Sequence, residues 1–223
     1  MIVAIDGPAG AGKSTVAREL AVRLGLTLID TGAIYRTAAF AARERGIAVD
    51  DDIRLAMLLP ALAKELSFGA SGRIELAGRD VSAQIRTPEM SQSASAISAR
   101  PVVRDALLGL QQRLGRNAPA PGAVLEGRDI GTVVFPDAAA KFFLTASPQV
   151  RAERRYLELK ARGVDTNVDA VLKDQEKRDR DDSTRAVAPL RQAADAVLID
   201  STDLDLPHVV ERITQVLRER KLV

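Results

Sequence analysis

Gly7-Pro8-Ala9-Gly10-Ala11-Gly12-Lys13-Ser14-Thr15 follows directly on the apolar run Ile2-Val3-Ala4-Ile5. The spacing is G-x-x-x-x-G-K-[ST], set where a short buried strand turns into a helix. Glycines let the backbone curl until several N–H groups face one anion, and a helix N-terminus adds its partial positive charge. Lys13 brings a mobile cation to the β- and γ-phosphates, and Ser14 a hydroxyl for Mg²⁺. Residues 7–15 therefore read as a site for a nucleoside triphosphate.

Such a loop serves motors, GTPases, transporter ATPases and kinases alike. A GTPase needs an Asn-Lys-x-Asp base-reading motif, and neither Asn117 nor Asn167 is followed by Lys. No Leu-Ser-Gly-Gly transporter signature and no long helicase insertion is present. A small phosphotransferase remains, and three clusters point to one. Asp30-Thr31-Gly32-Ala33-Ile34-Tyr35-Arg36 ends a strand and opens a helix, which makes a second anion pocket with Arg36 one turn in. Glu126-Gly127-Arg128-Asp129-Ile130-Gly131-Thr132 sets a carboxylate and a phosphate-binding arginine at another strand end. The third is an arginine-dense stretch from Arg151 to Arg185. At about 100° per residue, Arg151, Arg155 and Arg162 share a helix face with Arg154 on its flank, and Arg178, Asp182 and Arg185 follow at i, i+4, i+7. Taken alone, that stretch also reads as a solvated helix laced with ion pairs through Glu153, Glu158 and Glu176.

The elements that must position these groups are legible as well. Apolar runs at 2–5, 26–29, 124–125, 141–144 and 197–199 have the length of strands covered on both faces, with helical patterns between them. After the glycine loop, Val16, Leu20 and Leu24 recur at helical spacing up to Gly25, and a second helix runs over 32–45 to Gly46. Pro207 opens a C-terminal helix with the stripe Val209, Ile213, Val216 and Leu217, and beside it His208 reads as a surface residue. The expected fold is α/β, a five-stranded parallel sheet with helices on both faces. Residues 66–81 alternate, with turn signals at Ser71-Gly72 and Ala77-Gly78, and predict a small antiparallel insertion. A Ser/Ala-rich helix near 90–98 follows it, Asp50-Asp51-Asp52 starts another, and 117–122 is a loop.

Composition narrows the chemistry further. Hydrophobic residues at 46% and charged residues at 28% over 223 positions suit one globular domain with a proper core. The absence of cysteine excludes disulfides, thiolate chemistry and Cys-ligated zinc. A single histidine leaves no Ser-His-Asp triad and no His-ligated metal. No run approaches the roughly 18 apolar residues of a membrane span, and Met1 leads straight into the first strand, so no signal peptide is expected. The expectation is a cytoplasmic enzyme. The net charge of +2 gives no argument for nucleic acid. It agrees with a pI of about 9.1, because few groups titrate between neutrality and that value in a chain with one His and no Cys. The cations are mostly Arg, which grips phosphate through parallel hydrogen bonds.

The segments IDGPAGAGKST, LIDTGAIYR, DVSAQIRT, EGRDIGTVVFPDA and RDDSTRAVAPL, in this order, resemble bacterial cytidylate kinases over nearly the whole chain. That resemblance implies phosphorylation of CMP and dCMP from ATP with Mg²⁺. A monomer is expected, with no nucleic acid and no membrane as partner. It divides the chain into a core at 1–35, 100–148 and 187–223, a monophosphate-binding region with its insertion at 36–99, and a lid at 149–186. It assigns residues 7–15 to ATP, and Thr31, Tyr35, Arg36, Arg128, Arg178 and Arg185 to the phosphate and sugar of CMP, with Asp182 on the ribose. Ser95, Arg104 and Asp129 fall to the cytosine, and Arg154 and Arg155 become lid arginines over the ATP phosphates. The catalytic group it implies is Lys13 with Arg128, Arg154, Arg155, Arg178 and Arg185. Thr31 and Glu126 stand where family members often carry Ser and Asp, changes that keep the chemistry. Another P-loop kinase for a small acceptor, or a nucleotide-binding regulator without catalysis, remains the alternative. The regulator's sign is the loss of Lys13 or of the arginines.

Overall fold

Ile2, Val3 and Ile5 are β-branched, and a strand covered on both faces takes apolar residues at successive positions. They form β1 (Ile2–Asp6), the middle strand of a five-stranded parallel sheet. The others are β2 (Thr27–Asp30), β6 (Ala123–Gly127), β7 (Ala140–Thr145) and β8 (Val197–Asp200), in the order β2-β6-β1-β7-β8. Ile5 lies opposite Glu126 of β6 on one side and Phe142 of β7 on the other. The chain leaves β1 towards β2 and later returns to β7 and β8 across it. The carboxyl end of β1 is therefore a topological switch point, the place where open α/β sheets hold ligands.

This computed structural model describes residues 1–69 and 72–223. They form two compact units, 1–28 with 118–223, and 29–117. In the first unit, α1 (Lys13–Leu24) and α8 (Leu206–Glu219) pack on the sheet through Val16, Leu20, Val209, Ile213 and Leu217 against Val3, Ile5, Phe142 and Leu144. Leu20 is completely buried, so truncation to Ala costs about 2–5 kcal/mol. Gly25, at φ 66°, ends α1 in the left-handed conformation that glycine adopts freely. Asp205 caps α8 by accepting the N–H of His208, which is exposed as expected. Helices α6 (Pro148–Ala161) and α7 (Val168–Thr184) pair through Ala152, Leu159 and Val171.

The second unit holds α2 (Thr31–Glu44), α3 (Asp52–Glu65), α4 (Pro88–Ser98) and α5 (Pro101–Arg116). Its core gathers Ile34, Leu55, Leu59, Leu62, Ile85, Ile97 and Leu107. The alternating segment folds as an antiparallel sheet, β3 (Leu66–Phe68), β4 (Ile74–Leu76) and β5 (Arg79–Asp80). Ala77 and Gly78 both take positive φ, 51° and 76°, as a tight two-residue hairpin turn requires. Of the other turn signal, Ser71 lies outside the described residues. Helix α4 starts at Pro88, before the expected 90, because Thr87 accepts the Met90 N–H and proline suits the first helical position.

Candidate active site

The phosphate loop leaves β1 at Asp6 and enters α1 at Lys13. Gly7 has φ 148°, and a Cβ built on it would lie 2.0 Å from the Leu144 carbonyl oxygen, so only glycine passes β7 here. Gly10 and Gly12 are left-handed at φ 75° and 88°. No acidic residue sits in the first turn of α1, which leaves its N-terminal N–H groups to an anion. Pro8, Ala9 and Ala11 are buried, while Ser14 and Thr15 are exposed. Lys13 is buried and donates from Nζ to the Pro8 carbonyl at 2.8 Å. Burial above all, then the neighbouring Arg128 and Arg178, pull its ammonium down to about 7, against the attraction of Glu126. A polyanion at the loop reverses that balance.

The segment after β6 is shaped by Asp6. Its carboxylate accepts the Ile130 N–H at 2.8 Å and the Gly131 N–H at 2.7 Å, and the chain turns there as a π-helix over Ile130–Val134. Burial raises the Asp6 carboxyl to about 6, although the two N–H groups and Lys13 oppose the rise. Glu126 and Asp129, at either side of Arg128, are buried too.

Helix α7 brings its expected residues to this place. Arg128 Nε donates to Asp182 Oδ2 at 2.9 Å. Arg178 Nε stands 4.0 Å from the same oxygen, and Arg185 Nη1 lies 3.6 Å from Asp182 Oδ1. Arg185 Nη2 is also 3.6 Å from Asp129 Oδ1. Three guanidinium groups thus face two carboxylates, a cationic surplus. Burial pushes the Asp182 carboxyl up, yet Arg128, Arg178 and Arg185 together outweigh it and hold it below its ordinary value.

The arginines of α6 divide. Arg154 donates to Ser201 Oγ at 3.0 Å and to the Ser201 carbonyl at 2.7 Å, so it binds the turn after β8. Arg155 pairs with Glu158 at 2.7 Å, and Arg162, just past the helix end, pairs with the same carboxylate. Those two match the ion-pair reading of the stretch. Arg151 is buried and reaches the phosphate loop, donating to the Ala9 carbonyl at 2.9 Å and to Asp179 Oδ2 at 2.5 Å. Asp179 in turn accepts the Ala9 N–H at 3.2 Å. Sequence reasoning missed Asp6 and Asp179 and gave Arg151 no role. The density of arginines was the only signal, because the partners lie 28 to 170 residues apart in the chain.

In the second unit, Asp30 caps α2 by accepting the Ala33 N–H at 2.8 Å and pairs with Arg36 at 2.7 Å. Thr31 and Tyr35 are buried beside them in the sequence. Arg104 is also buried, 5.5 Å from the Tyr35 ring centroid, and donates to the Ser98 carbonyl at 3.1 Å. Ser95 accepts the Ser98 hydroxyl at its carbonyl at 2.9 Å. In this unit Tyr35 and Arg104 are brought together, Thr31 and Arg36 lie on α2 with Tyr35, and Ser95 lies on α4.

A phosphate loop with a buried lysine, backed by guanidinium groups, is the equipment of a P-loop phosphotransferase. Comparison with known proteins narrows the class. The family model described as cytidylate kinase matches residues 3–219. A cytidylate kinase of Geobacter sulfurreducens is 53% identical over 99% of this chain and 94% of its own length. Those of Syntrophotalea carbinolica and Pseudomonas aeruginosa are each 50% identical, over 100% and 95% of this chain and 94% and 93% of their own lengths. A solved structure of an uncharacterized protein from Eubacterium ventriosum covers 98% of both chains at a TM-score of 0.53 and 14% identity, which bears on the fold alone. The chain belongs to the cytidylate kinase family.

Proposed function

We infer that this chain transfers the γ-phosphate of ATP to CMP or dCMP, giving CDP or dCDP and ADP. The observation that carries the reading is the convergence of Arg128, Arg178 and Arg185 on Asp182 within the unit that holds the phosphate loop. A nucleoside monophosphate arrives with its phosphate already anionic, so nothing has to remove a proton before attack on the γ-phosphorus. What the reaction needs is in-line positioning and neutralisation of three equatorial oxygens. Residues 7–15 bind the ATP phosphates, and Lys13 serves the β- and γ-phosphates.

Among the described residues, no group of three or more His, Asp or Glu side chains is arranged to hold a metal alone. The exposed Ser14 in the first turn of α1 fits a Mg²⁺ carried on the ATP phosphates. When bound, Mg²⁺ neutralises phosphate charge.

In the first unit, Arg128, Arg178 and Arg185 bind the acceptor phosphate, Asp182 the ribose, and Asp129 the cytosine N4 amino group. In the second, Thr31, Tyr35 and Arg36 bind the monophosphate, and Ser95 and Arg104 the cytosine. Arg154 and Arg155 belong to a lid at 149–186 that excludes water and so suppresses ATP hydrolysis. By function, 1–35, 100–148 and 187–223 are the core, and 36–99 the monophosphate-binding region. No helix among the described residues is long and apolar enough to cross a membrane. We place the enzyme in the cytoplasm, as a monomer acting on free nucleotides.

Replacing Arg178 or Arg185 with Ala tests the acceptor assignment by separating kinetics from stability. The expected result is a fall of at least about tenfold in kcat/KM for CMP, the equivalent of one charge-assisted hydrogen bond. A change in melting temperature with unaltered kinetics returns both residues to the role of structural ion pairs.

A further inference from the structure

Both main-chain polar groups of Ala9, near the start of the phosphate loop, are held by side chains from α6 and α7. Asp179 of α7 accepts its N–H, and Arg151 of α6 donates to its carbonyl. The two side chains pair with each other, and Arg151 Nε also donates to the Ala146 carbonyl at 3.0 Å. Gln175, one turn before Asp179, donates to the Arg151 carbonyl at 3.3 Å. It packs so tightly on the loop that a Cβ added at Gly10 would meet its Nε2 at 2.3 Å. The Arg151 side chain is only 7% exposed, and its desolvation is offset by one carboxylate and two carbonyls. Surface pairs that merely staple two helices leave the backbone of a third element alone; this pair clamps the loop.

The residue immediately before Asp179 is Arg178, and Asp182 lies one turn on, so the helix that grips Ala9 also carries the acceptor cluster. A helix moves as a rigid body over one turn, so a displacement at Ala9 is a displacement at Arg178.

We propose that Arg151 and Asp179 are a positioning pair that makes the phosphate loop and the arginine cluster of α7 move together, so that a triphosphate on the loop alters the affinity of the cluster for the acceptor nucleotide. The proposal rests on the ATP–CMP reading above. Neither residue is assigned to a substrate, and their effect is a coupling free energy between two binding events.

The test is calorimetric titration of CMP into the full chain, with and without AMP-PNP and Mg²⁺. In the unaltered protein the two CMP dissociation constants should differ about fivefold or more, and AMP-PNP titrated with and without CMP should give the same ratio, because coupling is reciprocal. Asp179→Asn keeps the volume and one acceptor but removes the charge that holds Arg151. The ratio should fall to within about twofold of unity, while CMP affinity without AMP-PNP changes by less than about twofold. Arg151→Lys keeps the charge but loses the fork that reaches Ala9 and Asp179 together, so it should act likewise. The double variant should lose no more than either alone. If Asp179→Asn does not fold, Arg151→Lys carries the same test. A ratio of one in the unaltered protein, or an undiminished ratio in the variants, overturns the proposal. An unaltered protein that does not phosphorylate CMP overturns the functional reading instead.

Discussion

Asp182→Asn removes one negative charge from among three guanidinium groups while preserving volume. The carboxylate is buried, 2.9 Å from Arg128 Nε, with Arg185 at 3.6 Å and Arg178 at 4.0 Å. Asn still offers Arg128 an acceptor, so the loss is the charge-assisted share of that bond together with the attraction of the two longer pairs. A hydrogen bond to a charged group is worth about 1.5–3 kcal/mol, and we take about 2–3 kcal/mol for the whole substitution. For a chain of this length each kcal/mol moves the melting temperature by roughly 2–4 °C, so a drop of roughly 4–12 °C is expected at pH 7 without nucleotide. The assay is thermal unfolding followed by circular dichroism. The pH dependence has a definite sign. Burial raises the carboxyl, the arginines outweigh it, and the net pKa lies below the ordinary 3.8. The stabilisation is therefore complete above about pH 4 and lost as the pH falls through the folded-state value. The gap between the unaltered protein and the variant should stay constant from pH 7 to pH 5 and narrow below pH 4. No gap at pH 7, or one that widens on acidification, refutes an ionised Asp182 at the centre of the arginines.

Lys13→Ala should reduce kcat by about 100-fold or more and change CMP affinity little, because the lost charge acts on the ATP phosphates; separate measurement of turnover and CMP binding checks this. Asp129→Ala should lower kcat/KM for CMP at least about tenfold and that for UMP much less, since uracil carries an oxygen where cytosine offers the N4 amino donor. Equal losses with both acceptors would make Asp129 a structural partner of Arg185, and base reading would then rest on Arg104 and Ser95.

The sheet was legible because its strands are local apolar runs, and the glycine loop because its spacing is itself the geometry. β6 reads in sequence as Val124-Leu125 only, since a buried Glu126 at the strand end looks like the start of a loop. Helix α5 had no assigned pattern, although it carries Arg104. The π-helical turn depends on Asp6, 124 residues before Ile130, and no local propensity reports such a partner. Arg178, Asp182 and Arg185 were legible because i, i+4, i+7 spacing fixes a helix face. The arginines of α6 were not separable in this way. Arg151 and Arg155 lie on the same face by periodicity, yet one is buried against the phosphate loop and the other pairs at the surface with Glu158. What covers a helix face is a tertiary fact. Arg154 shows the same limit, since its guanidinium is fixed by the turn after β8, 47 residues away.

The central claim is that the arginine-lined site takes a pyrimidine monophosphate bearing an amino group and moves the γ-phosphate of ATP onto it. Incubating the purified protein with Mg²⁺ and ATP labelled at the γ-phosphate, and offering CMP, dCMP, UMP, AMP and shikimate in turn, tests it directly. Label should appear in CDP and dCDP, far more slowly in UDP, and not in ADP or shikimate phosphate. Label in shikimate phosphate, or release of inorganic phosphate with no acceptor labelled, would contradict the account.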